Sequence, residues 1–200
     1  MKNNAKESSA QHYKLLASLE RFEGQAAPPV HLWDPEQISK IDIRIDQSGE
    51  WFHDGVLIKR TSLARLFASV LRLEADGEYY LVTPVEKCRI VVEDVPFQAI
   101  LMAVEGTGKD QKLVFTTNMA EEASADEQHP MSFVSQINAD GDASYIPYVE
   151  IRSGLKAKIS RNVYYQLMDL LMTGNGEHAG WHGIWSGGVF FRVVNESALK

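Results

Sequence analysis

The sequence has one cysteine, Cys88, among its 200 residues, and fewer basic than acidic side chains. A single thiol excludes an intramolecular disulfide and a metal site built from several cysteines. With 20 Lys and Arg against 27 Asp and Glu, the formal net charge is −7, which argues against a strongly basic surface for nucleic acid. Long hydrophobic runs are also missing, and every apolar stretch is shorter than the ~20 residues of a membrane-spanning helix.

The start of the sequence, residues 1–9, is polar and lacks the apolar core of a secretory signal. We therefore expect a cytoplasmic protein. Hydrophobic residues make up 44% of the chain and charged residues 24%, values typical of globular proteins. At ~150 residues per domain, this length suits one large domain or two small ones.

Hydrophobic periodicity predicts a helical arm, a series of strands and two further helices. Helical spacing of apolar residues followed by two prolines predicts an arm of residues 1–25 and a connector. From Ile41 onward, alternation of period two predicts strands joined by tight turns such as Asp54-Gly55. One helix is predicted to begin at Thr61 or Ser62, and the other to run from about Arg161 to Met172.

Residues 118–144 are polar and turn-rich, which predicts a solvated loop. No Lys or Arg occurs between Lys112 and Arg152, and the seven acidic residues of that interval equal the net charge of the chain. A calcium site and a surface for a cationic partner are the functional alternatives. The acids lack the Asp-x-Asp-x-Asp-Gly spacing of a calcium-binding loop.

A shift of the sequence by 101 positions reveals an internal repeat. Ile58 then aligns with Ile159, Arg60 with Arg161, and Leu66 with Leu167. Both copies have the same predicted order of strand, glycine turn, strand, Ile-x-Arg, helix and further strands. We therefore predict an α+β fold of two related domains, residues 26–125 and 126–200, each with antiparallel strands and one helix. Ligand sites favour the interface between such domains.

The sequence contains no motif that indicates catalysis. Gly106-Thr107-Gly108-Lys109 lacks the glycine spacing and hydroxyl residue of a phosphate-binding loop and is interpreted as a hairpin turn. His178 and His182 have the spacing of a helical metal pair, but the surrounding glycines disfavour a helix. Neither a nucleophile elbow nor an activated Cys88 is indicated. We therefore predict no catalytic residue, metal site or cofactor.

Arginine is the residue type best suited to a small anionic ligand, because its planar guanidinium binds phosphate or carboxylate through paired hydrogen bonds. Arg60 and Arg161 each begin a predicted helix, where free amides and the helix dipole favour a phosphate. An ion pair with a nearby carboxylate is the alternative for both. Further candidate ligand-binding residues, at the edges of the predicted cleft, are Tyr80, Thr83, Glu86, Trp185 and Ser186. Six aromatic residues could stack a base, although most are expected to form part of the core: Trp33, Trp51, Tyr79, Tyr80, Trp185 and Phe190.

A series of motifs follows in order from about residue 26 to 194. It comprises Pro28-Pro29-Val30-x-x-Trp33-x-Pro35, Gly49-x-Trp51-x-x-x-Gly55, Ile58-x-Arg60, Leu66-Phe67-Ala68-Ser69-Val70-Leu71-Arg72, Asp76-Gly77-x-Tyr79-Tyr80-Leu81-Val82-Thr83-Pro84-Val85-Glu86-Lys87, Val92-Glu93-Asp94-x-Pro96-Phe97, Gly154-Leu155-x-Ala157-x-Ile159-x-Arg161 and Trp185-Ser186-x-Gly188. In order and spacing this series resembles a bacterial family known as domain of unknown function 1285.

The resemblance implies a duplicated α+β fold whose C-terminal half is loosely like a pleckstrin-homology domain. It also implies a site for a nucleotide-like molecule at the domain interface, and a role in signalling, with oxidative stress as one context. Our leading hypothesis is a non-enzymatic regulatory protein that binds a small anionic, nucleotide-based ligand. The alternatives are a protein-interaction scaffold that uses the pleckstrin-like half, and an enzyme with an unrecognised site.

Overall fold

The computed structural model describes residues 28–137 and 143–199, so the predicted arm of residues 1–25 lies outside the described residues. The chain divides into two compact units, Met1–Asp94 and Val95–Lys200. No helix within the described ranges is long and apolar enough to cross a lipid bilayer.

The first unit is a six-stranded sheet with one helix. Its strands are β1 (Ile38–Ile45), β2 (Trp51–His53), β3 (Val56–Leu57), β4 (Leu71–Leu73), β5 (Tyr79–Val82) and β6 (Lys87–Val92), in the sheet order β3-β2-β1-β6-β5-β4. Neighbouring strands are antiparallel except β1 and β6, which are parallel. Helix α1 (Thr61–Ser69) connects β3 to β4.

The core of the first unit lies between α1 and one face of the sheet. The alternation predicted in β1 is confirmed, because Ile41, Ile43 and Ile45 are all buried. Trp51 pairs with Ile45 across β1 and β2, and it stacks on Phe67 of α1 with ring centres 6.2 Å apart. Each such fully buried apolar side chain stabilises the folded state by roughly 1.5–3 kcal/mol, which holds the helix on the sheet.

The second unit contains two sheets and one helix. Strands β7 (Phe97–Glu105), β8 (Lys112–Thr117), β9 (Glu122–Ser124), β10 (Met131–Ile137), β11 (Ala143–Arg152) and β12 (Leu155–Ile159) form a six-stranded sheet in the order β10-β11-β12-β7-β8-β9. Only the β12–β7 pair of this sheet is parallel. Helix α2 (Arg161–Met168) follows β12, and β13 (Met172–Thr173), β14 (Trp181–Ser186) and β15 (Val189–Asn195) form an antiparallel three-stranded sheet.

The end of β14 is tied to the start of β8 by buried polar groups. The Ser186 hydroxyl donates to the Ala125 carbonyl oxygen at 2.6 Å and accepts the Leu113 amide at 2.9 Å. The Gln111 side-chain amide donates to the Trp185 carbonyl oxygen at 2.8 Å. The curled, half-barrel arrangement of the second unit fits a pleckstrin-homology-like fold, as the family resemblance implies.

The structure confirms the duplicated order of elements. The shift of 101 residues places β4 on β13, β5 on β14 and β6 on β15, and α1 on α2. Each copy has a tight turn before its helix, Asp54-Gly55 with φ of 48° and 75° and Ser153-Gly154 with φ of 47° and 79°. Two successive positive φ values characterise the type I′ hairpin turn, which explains the glycines there. The copies differ in that β6 joins the sheet of β1, whereas β15 belongs to a separate sheet.

Three features differ from the sequence-based predictions. The stretch 118–144 includes strands β9 and β10, and β10 pairs with β11 over seven residues; its polar composition obscured the strand pattern. Helix α2 ends at Met168 rather than near Met172, because Met172 enters β13. The predicted boundary at residues 125 and 126 lies inside the second unit, because β8 and β9 pair with β7 of that unit.

Candidate functional site

Arg60 and Arg161 lie at the starts of their helices, as predicted. Arg60 is the N-cap of α1, and its Nε donates to the Ser62 hydroxyl at 2.9 Å. Arg161 is the first residue of α2, and its Nε donates to the Tyr165 hydroxyl at 3.1 Å. Both arginines are exposed, and Arg161 forms no ion pair within the described part of the chain. Anion binding by these two residues stays a prediction.

Tyr80 lies in a row of three side chains that crosses the first sheet. Its neighbours in register are Arg72 on β4 and Arg89 on β6, and the Lys87 ammonium lies 5.3 Å from its ring centre. The Tyr80 hydroxyl donates to the Asp76 carboxylate at 2.9 Å, and this hydrogen bond raises the pKa of Tyr80. The ring is buried, so Tyr80 presents little surface to a ligand in this conformation.

Thr83 and Glu86 close the tight turn between β5 and β6. The buried Thr83 hydroxyl donates to the Glu86 carbonyl oxygen at 3.0 Å and accepts the Glu86 amide at 3.1 Å. The Glu86 carboxylate is also buried and accepts a hydrogen bond from Ser39 at 3.0 Å. The Thr83 side chain therefore holds the turn, whereas the Glu86 side chain is hydrogen-bonded to Ser39 on β1. Contact of either side chain with a ligand stays a prediction.

Trp185 and Ser186 are adjacent on β14, so their side chains lie on opposite faces of that strand. Ser186 is fully buried, and its hydroxyl joins the two sheets as described above. Trp185 is only half-buried and lies on the opposite face. That face carries the most distinctive group of side chains in the second unit.

The outer face of the β14–β15 hairpin carries an aromatic and cationic cluster, here named the aromatic–cationic face. Its members are Lys109, His178, Trp181, Trp185, Phe190 and Arg192. Trp185 and Phe190 are paired in register, with ring centres 5.2 Å apart. His178, from the 3-10 segment Gly176–His178, stacks on Phe190 at 4.5 Å and meets Trp185 edge-on at 5.5 Å.

Each tryptophan of this face has a cation over its ring. The Lys109 ammonium lies 5.3 Å from the Trp185 ring centre and 3.4 Å from the Asn175 side-chain oxygen. The Arg192 guanidinium lies 5.3 Å from the Trp181 ring centre. Within the described residues neither cation forms an ion pair with a carboxylate. Other cations do form such pairs, among them Arg44, Arg72, Lys87, Arg89 and Arg152.

Two glycines allow the aromatic rings to pack closely. A Cβ atom at Gly183 would lie 2.5 Å from the Phe191 carbonyl oxygen and 2.6 Å from the Phe190 ring. A Cβ atom at Gly174 would lie 2.2 Å from the His178 carbonyl oxygen. Neither glycine has a positive φ. Glycine is required at both positions because neighbouring atoms leave no room for a Cβ atom, and not because of the backbone conformation. The geometry of this face therefore depends on residues that contribute no side chain to it.

The aromatic–cationic face has the chemistry of a surface for planar anions. Aromatic rings stack on flat ring systems, and nearby cations attract phosphate or carboxylate groups. The His178 Nδ1 atom is buried and has no hydrogen-bond partner among the residues that the structure describes. No group of three or more His, Cys, Asp or Glu side chains in the described ranges could hold a metal ion.

Of the six aromatic residues that the sequence suggested for stacking, Trp185 and Phe190 lie on this face, and the other four members of the face were missed as stacking or anion-binding residues. The spacing Trp181-x-Gly183-x-Trp185 contained a signal, because alternate residues of a strand share a face. No local pattern could have connected Lys109 with Trp185, since Lys109 precedes β8 and joins the face only through the tertiary fold.

Comparisons with known proteins agree with the motifs quoted above. A family model described as "Domain of unknown function (DUF1285), N-terminal domain" matches residues 28–95, and one described as "Protein of unknown function (DUF1285), C-terminal domain" matches residues 96–193. The two matches meet within a residue of the division between the two units. No curated protein matches the chain.

Two solved structures of DUF1285 family proteins are similar to the chain. The structure from Silicibacter pomeroyi DSS-3 has a TM-score of 0.81 and 41% identity, and the match covers 92% of this chain and 97% of that one. The structure from Shewanella baltica OS155 has a TM-score of 0.46 and 28% identity, covering 64% of this chain and 90% of that one.

Proposed function

The chain belongs to the DUF1285 family, and we propose that it is a non-enzymatic, cytoplasmic regulatory protein that binds a small anionic ligand with a planar ring, most simply a nucleotide. The proposed site is the aromatic–cationic face of the second unit. One observation carries this proposal: Lys109 and Arg192 lie over tryptophan rings and, within the described residues, have no carboxylate partner.

Two physical effects support a nucleotide at this face. Stacking of a base on an aromatic side chain contributes about 1–3 kcal/mol, and it requires little sequence or ring specificity. A phosphate group beside Lys109 or Arg192 gains charge-assisted hydrogen bonds, which are stronger than those between neutral groups. Because neither cation has a carboxylate partner among the described residues, each is available to a phosphate or carboxylate group of a ligand.

Calorimetric titration of the full chain with AMP and with adenosine tests the proposal. We expect AMP to bind more tightly than adenosine, because only AMP offers a phosphate to the cations. The double variant Lys109→Gln/Arg192→Gln should weaken AMP binding at least about tenfold, since a hydrogen bond to a charged group contributes roughly 1.5–3 kcal/mol.

The matched control is the double variant Arg65→Gln/Lys156→Gln, which removes two exposed cations from other surfaces and changes the net charge equally. Its affinity for AMP should stay within twofold of that of the unaltered chain. Absence of AMP binding at millimolar concentration would overturn the proposal and favour the interaction scaffold or the unrecognised enzyme.

The same titration examines the two helix starts. If Arg60 and Arg161 bind anionic groups, Arg60→Ala and Arg161→Ala should each weaken AMP binding several-fold without unfolding the protein. Unchanged affinity in both variants would reject this role and leave the aromatic–cationic face as the site.

A further inference from the structure

Two tryptophan–cation pairs lie on the same face of one strand. Trp181 and Trp185 are four residues apart on β14, so their side chains project in the same direction, about 13 Å apart at ~3.3 Å per residue. Arg192 accompanies Trp181, and Lys109 accompanies Trp185. The face therefore repeats one arrangement, a half-buried aromatic ring with a cation, at two positions.

The surface between the two pairs is filled rather than open. Phe190 covers Gly183, which lies between the tryptophans on the same face, and His178 stacks on Phe190. Phe190 is only 7% exposed, so little of its ring is available for stacking with a ligand. A ligand that contacts both tryptophans must therefore have a linker that passes over Phe190.

We infer that this face binds a dinucleotide, with one base on each tryptophan and the linking phosphates between the two cations; the inference rests on the proposed function. A mononucleotide can engage one tryptophan–cation pair and leaves the other empty. Two bases joined through a pyrophosphate supply two planar ring systems and two negative charges. The bases can stack on the two tryptophans, and the phosphates can pair with Lys109 and Arg192.

The charge of the chain favours a short ligand over a long nucleic acid. Polynucleotide binding depends on many Lys and Arg contacts with successive phosphates. This face offers two cations without carboxylate partners among the described residues, and the whole chain carries an excess of acids, 27 against 20 bases. A longer strand would carry additional phosphates that these two cations cannot neutralise.

Titration of the full chain with diadenosine diphosphate and with AMP, by calorimetry, tests the inference. We expect diadenosine diphosphate to bind at least tenfold more tightly than AMP. Trp181→Ala and Trp185→Ala should each remove this advantage, so that the two Kd values come within threefold of one another. Arg192→Gln, which retains the tryptophans and adds no bulk, should reduce the advantage at least threefold if an alanine variant fails to fold.

The outcomes separate the inference from the proposed function. If AMP binds and diadenosine diphosphate binds no more tightly, the dinucleotide inference is overturned while the proposed nucleotide site stands. If neither compound binds, the proposed function fails as well. Tighter binding of a twelve-nucleotide oligoadenylate than of diadenosine diphosphate would also overturn the inference, because it would indicate that this face binds polynucleotides.

Discussion

At the scale of single residues, Cys88 is held in an unreactive form. Its side chain is fully buried, and burial raises the pKa of the thiol to about 11, with Ser39 close by at 3.1 Å. The thiolate, rather than the thiol, is the nucleophile in cysteine chemistry. Cys88 therefore belongs to the core.

Cys88 should react very slowly with an aromatic disulfide reagent in the folded protein at pH 8. We expect labelling to be at least about 100-fold slower than in denaturant, since a pKa near 11 leaves about a thousandth of the thiol ionised and burial blocks access. Spectrophotometric thiol titration measures both rates. Rapid, stoichiometric labelling without denaturant would contradict this assignment.

Residue-scale reasoning from sequence was most successful where the chemistry is local. Arg60 and Arg161 were placed correctly at helix starts, because the Ile-x-Arg step precedes each helix. Thr83 and Glu86 were predicted to lie at the edge of a ligand cleft, and the hydrogen bonds that join them in a turn were not foreseen. The reason is that the partner of a side chain depends on the turn geometry, which a residue pattern does not specify.

At the scale of elements, Ser186 joins β14 to the neighbouring sheet. Its hydroxyl is fully buried and makes one hydrogen bond as donor, to Ala125, and one as acceptor, from Leu113. The sequence suggested that Ser186 binds the ligand, whereas these hydrogen bonds show that its hydroxyl stabilises the fold. The two roles have different experimental consequences.

Ser186→Ala should lower the free energy of unfolding by about 1–3 kcal/mol, because it leaves the buried Leu113 amide and Ala125 carbonyl without a partner. Denaturant unfolding measures this loss. The Kd for AMP should stay within twofold of the unaltered value, because Trp185 lies on the other face of β14. Loss of binding with unchanged stability would instead support the role assigned from the sequence.

Strands with clear alternation were predicted well, and those without it were missed. β1, β8 and β12 follow the period of two closely, so their positions could be predicted. β9 and β10 lie in a polar, acidic interval, and β13 has only two residues. Such strands exist because a neighbour supplies hydrogen bonds, and the neighbour is not encoded in their own residues.

At the scale of the whole molecule, the formal charge of −7 opposes the approach of an anionic ligand. An anionic ligand approaches an acidic chain, so its binding must depend on the few cations near the site. Charges on an exposed surface are screened by salt, with a Debye length of about 10 Å at 0.1 M and about 3 Å at 1 M.

The affinity for AMP should therefore fall as salt rises. Between 50 mM and 500 mM NaCl we expect the Kd for AMP to increase at least threefold, while the Kd for adenosine changes little. The double variant Lys109→Gln/Arg192→Gln should lose most of this dependence. A flat salt profile for AMP would indicate that binding, if present, does not use these cations.

The sequence by itself determined the strand alternation, the two glycine turns before the helices, the duplicated order of elements and the family. These features depend on side-chain periodicity and on backbone sterics over a few residues, so they can be predicted from one amino-acid sequence. Only the tertiary structure decided where the two units divide and that Lys109 lies over Trp185. Both depend on hydrogen-bonded pairing and packing between segments far apart in the chain, such as the close packing of β14 against β8, which no local pattern encodes.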